Sequence, residues 1–571
     1  MALPEENNLS KLLTSSVSGT SFLIAIQVFS RLFTFVANQL VLHTLSPAIL
    51  GVATQLELYL ISILYFSRES IRVAIQKQPL EHHFDAHSGK RKQDHATKAP
   101  SSDDAAAVRR STLSSQTVVN MSYLSLGLGV PLALIFAGFY VHFAPEEVSQ
   151  TPFYRLSVAI TAVSSLLELG VEPIFAAVQQ HMLYKKRAAV EMTAALVKSL
   201  AVCSLFAWAS WTGNTVGIFP FALGHLCYSC TLVFGYIQVT RDVRKQWRFS
   251  LFLTRLKSRD QSRYVADTFS CRLLSLSANS FFQSIIKHIL TQGDALILAA
   301  MTSLEDQGIY SLACNYGGLI ARLLFQPIEE SSRILFSSLL NSCESGASTK
   351  AANAAKAHLV DILRGYGMMS AIVLPLGPHL VPQMLNALGG HRWDSPMVAS
   401  LVSLYCYYIP FLAFNGIVEA FVSGAATPSE LRTQTGWMGV FSACFALAAY
   451  FFLRIAHLGA HGLVYANIVN MAVRILWGIY FIRSYMLRHG IRMPWADFGL
   501  RPSTYIVGVG LSLALAWHGT FGSGFREILK SGAVATAYAL LIMYLEREFL
   551  IIKCEKLYPM LKTKLLKQKS T

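Results

Sequence analysis

The sequence predicts an all-α polytopic membrane protein of about fourteen transmembrane helices: two six-helix lobes in parallel pseudo-repeat plus two C-terminal helices. Three observations carry this. Apolar runs long enough to cross a bilayer recur along the chain, cations gather in alternate loops, and a short motif repeats between the halves. Of 571 residues 53% are hydrophobic and only 14% charged, whereas a soluble domain carries roughly a quarter charged residues. Crossing about 30 Å of hydrocarbon takes around 20 helical residues, with every backbone polar group satisfied inside the segment. The runs therefore read as helices, not strands.

In chain order the first six spans are expected at Val17–Leu42, Pro47–Phe66, Val118–Phe143, Phe153–Ala176, Val190–Trp211 and Val216–Val239, forming an N-terminal lobe over residues 1–240. Its loop at about 77–116 contains His82–Ser115, rich in His, Lys, Asp, Ser and Ala and too poor in apolar residues to bury, and reads as disordered and cytosolic. Val243–Tyr264 interleaves Trp247, Phe249, Phe252, Leu253 and Leu256 with Arg244, Lys245, Arg248, Arg255 and Lys257. That is a basic amphipathic stretch suited to a membrane surface, and it makes residues 241–266 an interlobe linker. The next six spans, Cys271–Met301, Ile309–Leu335, Leu359–Val381, Met397–Phe421, Trp437–Leu453 and His461–Ile482, build a C-terminal lobe over 267–483. Residues 484–571 hold the last two, Tyr505–Thr520 and Ile528–Leu545, and a basic tail.

The net charge of +16 raises the question of nucleic acid, but its distribution excludes that reading. Nearly all extramembrane cations lie in Arg68–Arg110, Lys185–Arg187, Arg241–Arg263, Lys350–Arg364, Arg483–Arg501 and Arg547–Lys569, while the intervening loops hold Arg392, Arg454 and little else. The positive-inside rule then puts both termini and the even-numbered loops in the cytosol. The first span is too long for a signal-peptide core and follows Glu5 and Glu6, so it is expected to stay as an anchor. Lys567-Gln-Lys569-Ser-Thr571 matches a dilysine signal for return to the endoplasmic reticulum. The sequons at Asn8 and Asn120 fall in the cytosol or at a membrane boundary and are expected to stay unglycosylated.

No cofactor or metal is expected. The chain lacks a Gly-x-x-x-x-Gly-Lys-[Ser/Thr] loop for ATP, no nucleophile, base and orienter set stands out, and Cys227-x-x-Cys230 has no second ligand pair in a polar setting.

The repeat joins the ends of the second and eighth spans: Glu69-Ser70-Ile71-Arg72 against Glu330-Ser331-Ser332-Arg333. Two lobes of six helices share one orientation, which predicts a substrate site between them near mid-membrane. Ionisable groups inside spans mark it, because each costs several kcal/mol in hydrocarbon unless it faces a wet cavity or a partner. The candidates are Arg31, Glu57, Arg68, Glu69, Arg72, Lys287, His288, Asp294, Arg322, Glu329, Glu330 and Arg333, with Asn38 and Gln39 as hydrogen-bonding neighbours. Glu168, Glu172, Glu419 and Arg474 are also intramembrane, Arg474 within reach of snorkelling. Several guanidinium groups in a wet cavity suit phosphate or pyrophosphate, since Arg stays charged and grips two oxygens at once. The same residues at helix ends also suit structural ion pairs.

Phe29-Ser-Arg31-Leu-Phe-Thr-Phe with Asn38-Gln39, Leu45-Ser46-Pro47 through Gly51-Val52, Gln55-Leu-Glu57-Leu-Tyr59, Phe66-Ser-Arg68-Glu69-Ser-Ile-Arg72 and Phe325-Gln-Pro327-Ile-Glu329-Glu330-Ser331 strongly resemble the Rft family of endoplasmic-reticulum membrane proteins. The resemblance covers essentially the whole chain, with its sharp motifs in the first, second and eighth spans. It implies the two-lobed fold of the multidrug, oligosaccharidyl-lipid and polysaccharide exporter superfamily, and a transporter rather than an enzyme. The implied cargo is a dolichol-pyrophosphate-linked oligosaccharide of five mannoses on two N-acetylglucosamines, moved from the cytosolic to the lumenal leaflet for N-glycosylation. Alternating access is the expected mechanism, with Arg31, Arg68, Arg72 and Arg333 meeting the phosphates. Membrane lipid and N-glycosylation enzymes are the implied partners. Two other readings stay open: an ion-coupled solute exporter of the same superfamily, with Asp294 or Glu57 carrying the ion, and a non-transporting scaffold of the glycosylation pathway.

Overall fold

The computed structural model describes residues 39, 41, 45–76, 102–181, 183–244, 249–256, 264–341, 348–389, 393, 395–494, 497–518 and 525–551. Apart from Gln39 and Val41 the expected first span, with Arg31 and Asn38, lies outside the described residues, as does the basic tail beyond Ile551. The chain divides into two compact units, Met1–Ala299 and Ala300–Thr571. Among the described residues ten helices are long and apolar enough to cross a membrane, and Pro502–Trp517 is a shorter apolar helix. The expected seventh and eighth spans are helical too, but they carry charges along their length: Arg272, Lys287 and Asp294 in one, Arg322, Glu329, Glu330 and Arg333 in the other.

In the first unit, α1 (Pro47–Gln76) starts on a proline, tolerated where no helical partner exists for its missing N–H. α2 (Ser102–His142) begins well before the expected Val118, inside the stretch expected to be disordered. Ala105–Ala107, near its start, have high helix propensity. The expected fourth span is two helices, α3 (Tyr154–Gly170) and α4 (Glu172–Gln180), because Gly170 and Pro173 interrupt the backbone ladder around Val171. α5 (Tyr184–Thr212) takes in Lys185–Arg187, which were expected in a loop. α6 (Phe219–Arg244) packs on α3 and α5, and Val171, Phe175, Val190, Ala194, Leu232 and Tyr236 form the shared apolar core.

The stretch 249–256 is irregular backbone strapped to α2. Asn120 makes three bonds to it and its continuation: its side-chain N–H groups donate to the carbonyls of Thr254 at 2.7 Å and Thr268 at 3.0 Å, and its Oδ1 accepts from the Thr254 N–H at 3.2 Å. Gln116 accepts from Ser250 N–H at 2.8 Å, and Tyr123 donates to the Leu251 carbonyl at 3.0 Å. A two-stranded antiparallel ribbon, β1 (Tyr264–Val265) and β2 (Phe269–Ser270), leads into α7 (Cys271–Met301).

In the second unit, α8 (Leu304–Ile320) and α9 (Gln326–Asn341) are joined by a π-helical turn, Ala321–Phe325. Pro327 follows two residues on; it cannot donate to the carbonyl four residues back, and the widened turn accommodates it. α9 lies close against α11 (Pro396–Ala425), since a Cβ on Gly424 would stand 2.8 Å from the Phe336 Cβ. α12 (Pro428–Tyr450) opens with a capping box between Thr427 and Glu430, and packs on α13 (Gly459–Arg488).

α10 (Ser348–Gly389) contains Pro375, Pro378 and Pro382, each of which orphans the carbonyl four residues earlier. Two of these are rescued from other helices. Ser403 Oγ on α11 donates to the Pro378 carbonyl at 2.6 Å, and Tyr538 Oη donates to the Ala371 carbonyl at 2.8 Å. Tyr538 belongs to α15 (Phe525–Leu545), which packs with α14 (Pro502–His518) against α10 around Leu376, Leu515, Tyr538 and Ile542. Glu546 ties this pair together by accepting from the Arg501 N–H at 2.8 Å and the Thr504 hydroxyl at 2.7 Å.

Tyr538→Phe is expected to lose about 1–2 kcal/mol by stranding the Ala371 carbonyl in apolar surroundings. Tyr538→Phe combined with Ser403→Ala should lose the sum of the two singles, because the two carbonyls share no partner. Denaturant unfolding of the detergent-purified chain measures both.

Candidate functional site

Where α3 breaks, Glu172 enters the first turn of α4 with its side chain 4% exposed. Such a carboxylate needs full compensation, and two arginines from α1 supply it. Arg72 grips it with two bonds, Nε to Oε2 at 2.9 Å and Nη2 to Oε1 at 2.5 Å. Arg68 Nη1 binds Glu168 Oε1 at 2.7 Å and reaches Glu172 Oε1 at 3.4 Å. Arg68 and Arg72 share one face of α1 at i, i+4, and Glu168 and Glu172 keep a similar spacing across the α3–α4 break.

The network continues through an aromatic ring. The Arg72 guanidinium lies 3.9 Å from the centre of Phe175 and that of Arg187 lies 4.6 Å from it. Cation–π attraction holds each. Arg187 then pairs with Glu191 at 2.8 Å, and Tyr236 donates to the same carboxylate at 3.4 Å. Three guanidinium groups face three carboxylates, so the assembly is neutral and links α1, α3, α4, α5 and α6.

On the C-terminal half of α1 a second set of contacts reaches α7. Glu69 pairs with Lys287 at 2.8 Å, and the lysine side chain stays 61% exposed. His288 is 2% exposed. Its ring lies 4.8 Å from Tyr65 and 4.7 Å from Phe66, Nε2 is 3.1 Å from Ser62 Oγ, and Nδ1 has no hydrogen-bond partner among the described residues. Ser70 and Ser277 approach to 3.5 Å.

Of the remaining candidates in this unit, Glu57 is exposed on α1, Gln39 is half-buried, and Asp294 turns its carboxylate onto the Ala295 N–H at 2.8 Å. In the second unit, Glu330 accepts from Gln326 at 3.1 Å and Arg333 is exposed. Glu329 folds over Gly416 of α11, where any side chain would collide with its carboxylate. Arg322 sits in the π-helical turn, with its side chain outside the described residues. Arg474, read as a candidate for snorkelling, instead pairs with Glu419 at 2.8 Å across α13 and α11.

The two copies of Glu-Ser-x-Arg thus differ in surroundings. Arg72 is held by a buried carboxylate, whereas Arg333 is exposed and the carboxylate on the facing helix, Glu419, is taken by Arg474. Sequence reasoning missed Phe175, Arg187, Glu191 and Tyr236. The i, i+4 spacing of Arg187 and Glu191 was visible, but reading the arginine as a loop cation hid it. Cys227 and Cys230 lie one turn apart on α6 with free thiols, and the described residues hold no cluster of three His, Cys, Asp or Glu side chains suited to a metal.

The model of the Rft protein family matches residues 15–555. A Yarrowia lipolytica protein named Man(5)GlcNAc(2)-PP-dolichol translocation protein RFT1 is 32% identical over 92% of this chain and 78% of its own length. The protein of the same name from Saccharomyces cerevisiae is 30% identical over 94% of this chain and 95% of its own. Among solved structures, the lipid II flippase MurJ in an inward closed conformation aligns with a TM-score of 0.58 at 13% identity, over 93% of this chain and 99% of that one. At that identity the likeness is one of fold.

Among the described residues Arg72 pairs with no carboxylate but Glu172, so removing Glu172 leaves that guanidinium unmatched. Glu172→Ala is expected to destabilise the protein by about 3–5 kcal/mol. A Glu172→Leu/Arg72→Leu pair should cost clearly less than the sum of its single changes, read as unfolding midpoints in a double-mutant cycle. Additive losses would show that the pair is not coupled.

Proposed function

The chain belongs to the Rft protein family, and on that premise we propose that it moves a dolichol-pyrophosphate-linked oligosaccharide, Man5GlcNAc2-PP-dolichol, from the cytosolic to the lumenal leaflet of the endoplasmic reticulum membrane for N-glycosylation. One observation carries the reading: relatives about 30% identical over more than nine-tenths of this chain bear that translocation name. The fold shared with a lipid flippase and the many apolar helices are consistent with it. The activity is transport and not bond making or breaking.

The lipid tail stays in hydrocarbon while the polar head crosses, because burying a pyrophosphate and seven sugars in lipid has no compensation. Alternating access supplies a polar route for the head, and lumenal consumption of the product sets the direction. Both termini are assigned to the cytosol, where the basic loops lie. N-glycosylation enzymes are the class of partner that would use the product.

The neutral network around Glu172 suggests a division of labour among the candidate cations. Arg68 and Arg72 have their charge matched by carboxylates and serve to hold α1 on α3 and α4. Among the described residues the exposed Arg333 is the candidate cation open to a phosphate, since Lys287 already pairs with Glu69, and Arg31 of the expected first span is the other cation proposed for this role.

Transfer of fluorescent or radiolabelled glycolipid by the purified chain in vesicles tests this. Wild type should exceed a protein-free control, and Arg31→Ala and Arg333→Ala should each lower the rate about tenfold, the worth of one charge-assisted phosphate contact. Equal rates in all three would remove the site assignment. No rate above the control would favour a scaffold over a transporter.

A further inference from the structure

Three side chains on one face of α2 do for the stretch 249–256 what water does for a surface loop. Gln116 donates to the Phe252 carbonyl at 3.1 Å and accepts from the Ser250 N–H, Asn120 holds both the carbonyl and the N–H of Thr254, and Tyr123 donates to the Leu251 carbonyl. Gln116 and Asn120 are themselves buried. A loop in the aqueous phase needs no such provision, because solvent satisfies its backbone. Irregular backbone at membrane depth is stable only where protein supplies the partners.

The tethers lie at that depth. The part of α2 that is long and apolar enough to cross a membrane begins at Thr112. At about 1.5 Å per residue, Gln116 to Tyr123 lie roughly 6 to 16 Å along it, and the polar layer of one leaflet is about 5 to 7 Å deep. The strap therefore crosses α2 where head groups give way to acyl chains.

What the strap turns outward suits the same level. Leu256 is buried, and its N–H donates to the Asp267 carbonyl at 2.6 Å, which joins the strap to the turn between β1 and β2. Outward stand Phe252, 75% exposed, Leu253, 49%, and Val265, 50%. Arg255 beside them and Arg272 at the start of α7 are exposed cations, and among the described residues of 249–272 the one acid is the half-buried Asp267. A soluble protein partner would cover the apolar groups but gives no reason for a backbone provided with partners in place of water. Lipid answers both: acyl chains take the apolar side chains, and phosphates take the guanidinium groups. Charge selects the lipid, since the basic loops are assigned to the cytosolic side, where the leaflet carries anionic head groups.

We propose that residues 249–256 and the β1–β2 ribbon form an interfacial anchor for anionic phospholipid of the cytosolic leaflet, in which Phe252, Leu253 and Val265 enter the acyl layer while Arg255 and Arg272 bind head-group phosphates. Composition alone suits this stretch to a membrane surface; the tethers to α2 add its depth, and the exposed cations beside the exposed apolar groups add its ligand. The anchor does not depend on what the chain transports.

The test places a genetically encoded fluorescent amino acid at position 252, or at 253 in a second protein, of the purified full chain in vesicles of phosphatidylcholine and phosphatidylserine, mixed alike in both leaflets. At both positions, lipid brominated high on the acyl chain should quench strongly and aqueous iodide weakly. Brominated phosphatidylserine should quench in preference to brominated phosphatidylcholine. Arg255→Gln and Arg272→Gln should each lower that preference about fivefold, the worth of one surface cation, at an unchanged unfolding midpoint. Quenching by iodide and not by lipid, as at a site for a soluble partner, overturns the anchor; so does protection from both, as under a covering segment of the chain. Equal quenching by the two lipids overturns the assignment of an anionic ligand.

Discussion

A carboxylate with almost no access to solvent has to be matched inside the protein, and the match made for Glu172 organises the first unit. Its position follows from a break in the backbone: Gly170 and Pro173 end one helix and start another, and the side chain is carried inward at the new N-terminus. Two guanidinium groups a turn apart on α1 are then drawn to it, and the second of them lies over Phe175, which also receives Arg187 from α5. The consequence is mechanical. Five helices are tied by groups whose charges sum to zero, so they can share apolar surroundings without a counter-ion.

The same demand for compensation explains the second unit. Three prolines in α10 free carbonyls that water would satisfy in a soluble protein; here Ser403 and Tyr538 reach across from neighbouring helices to two of them. A bond of this kind does two things at once, since it stabilises a distorted helix and selects which helix lies beside it. The docking of α14 and α15 on α10 is thus specified by a hydroxyl as well as by apolar contact around Leu376 and Ile542.

Much of this was legible in the sequence, and the gaps have physical causes. The length and apolarity of runs such as Met397–Phe421 predict spans because the bilayer sets both, and Pro396–Ala425 is the helix found there. Ionisable residues inside spans were read as groups facing a wet cavity or a partner, and Arg68, Arg72 and Arg474 are found paired with carboxylates. Which partner each one takes was not legible, because Arg72 and Glu172 are a hundred residues apart and nothing in either local sequence encodes their meeting. The break at Val171 was missed because hydropathy averages over Gly170 and Pro173 and sees one run. The helical start at Ser102 was missed because polar composition was read as disorder, while local propensity favoured a helix. The structural ion pair, left open beside the phosphate site for Arg68 and Arg72, is the arrangement found around them.

The π-helical turn at Ala321–Phe325 carries one residue more than an α-helical turn needs, and each residue rotates a helix by about 100°. The wider turn absorbs that surplus as a bulge, so the side chains beyond it, from Glu329 to Phe336, keep the phase that seats Phe336 against Gly424 and lays Glu329 over Gly416. A further residue inserted there would find the bulge already spent and would swing both out of their seats.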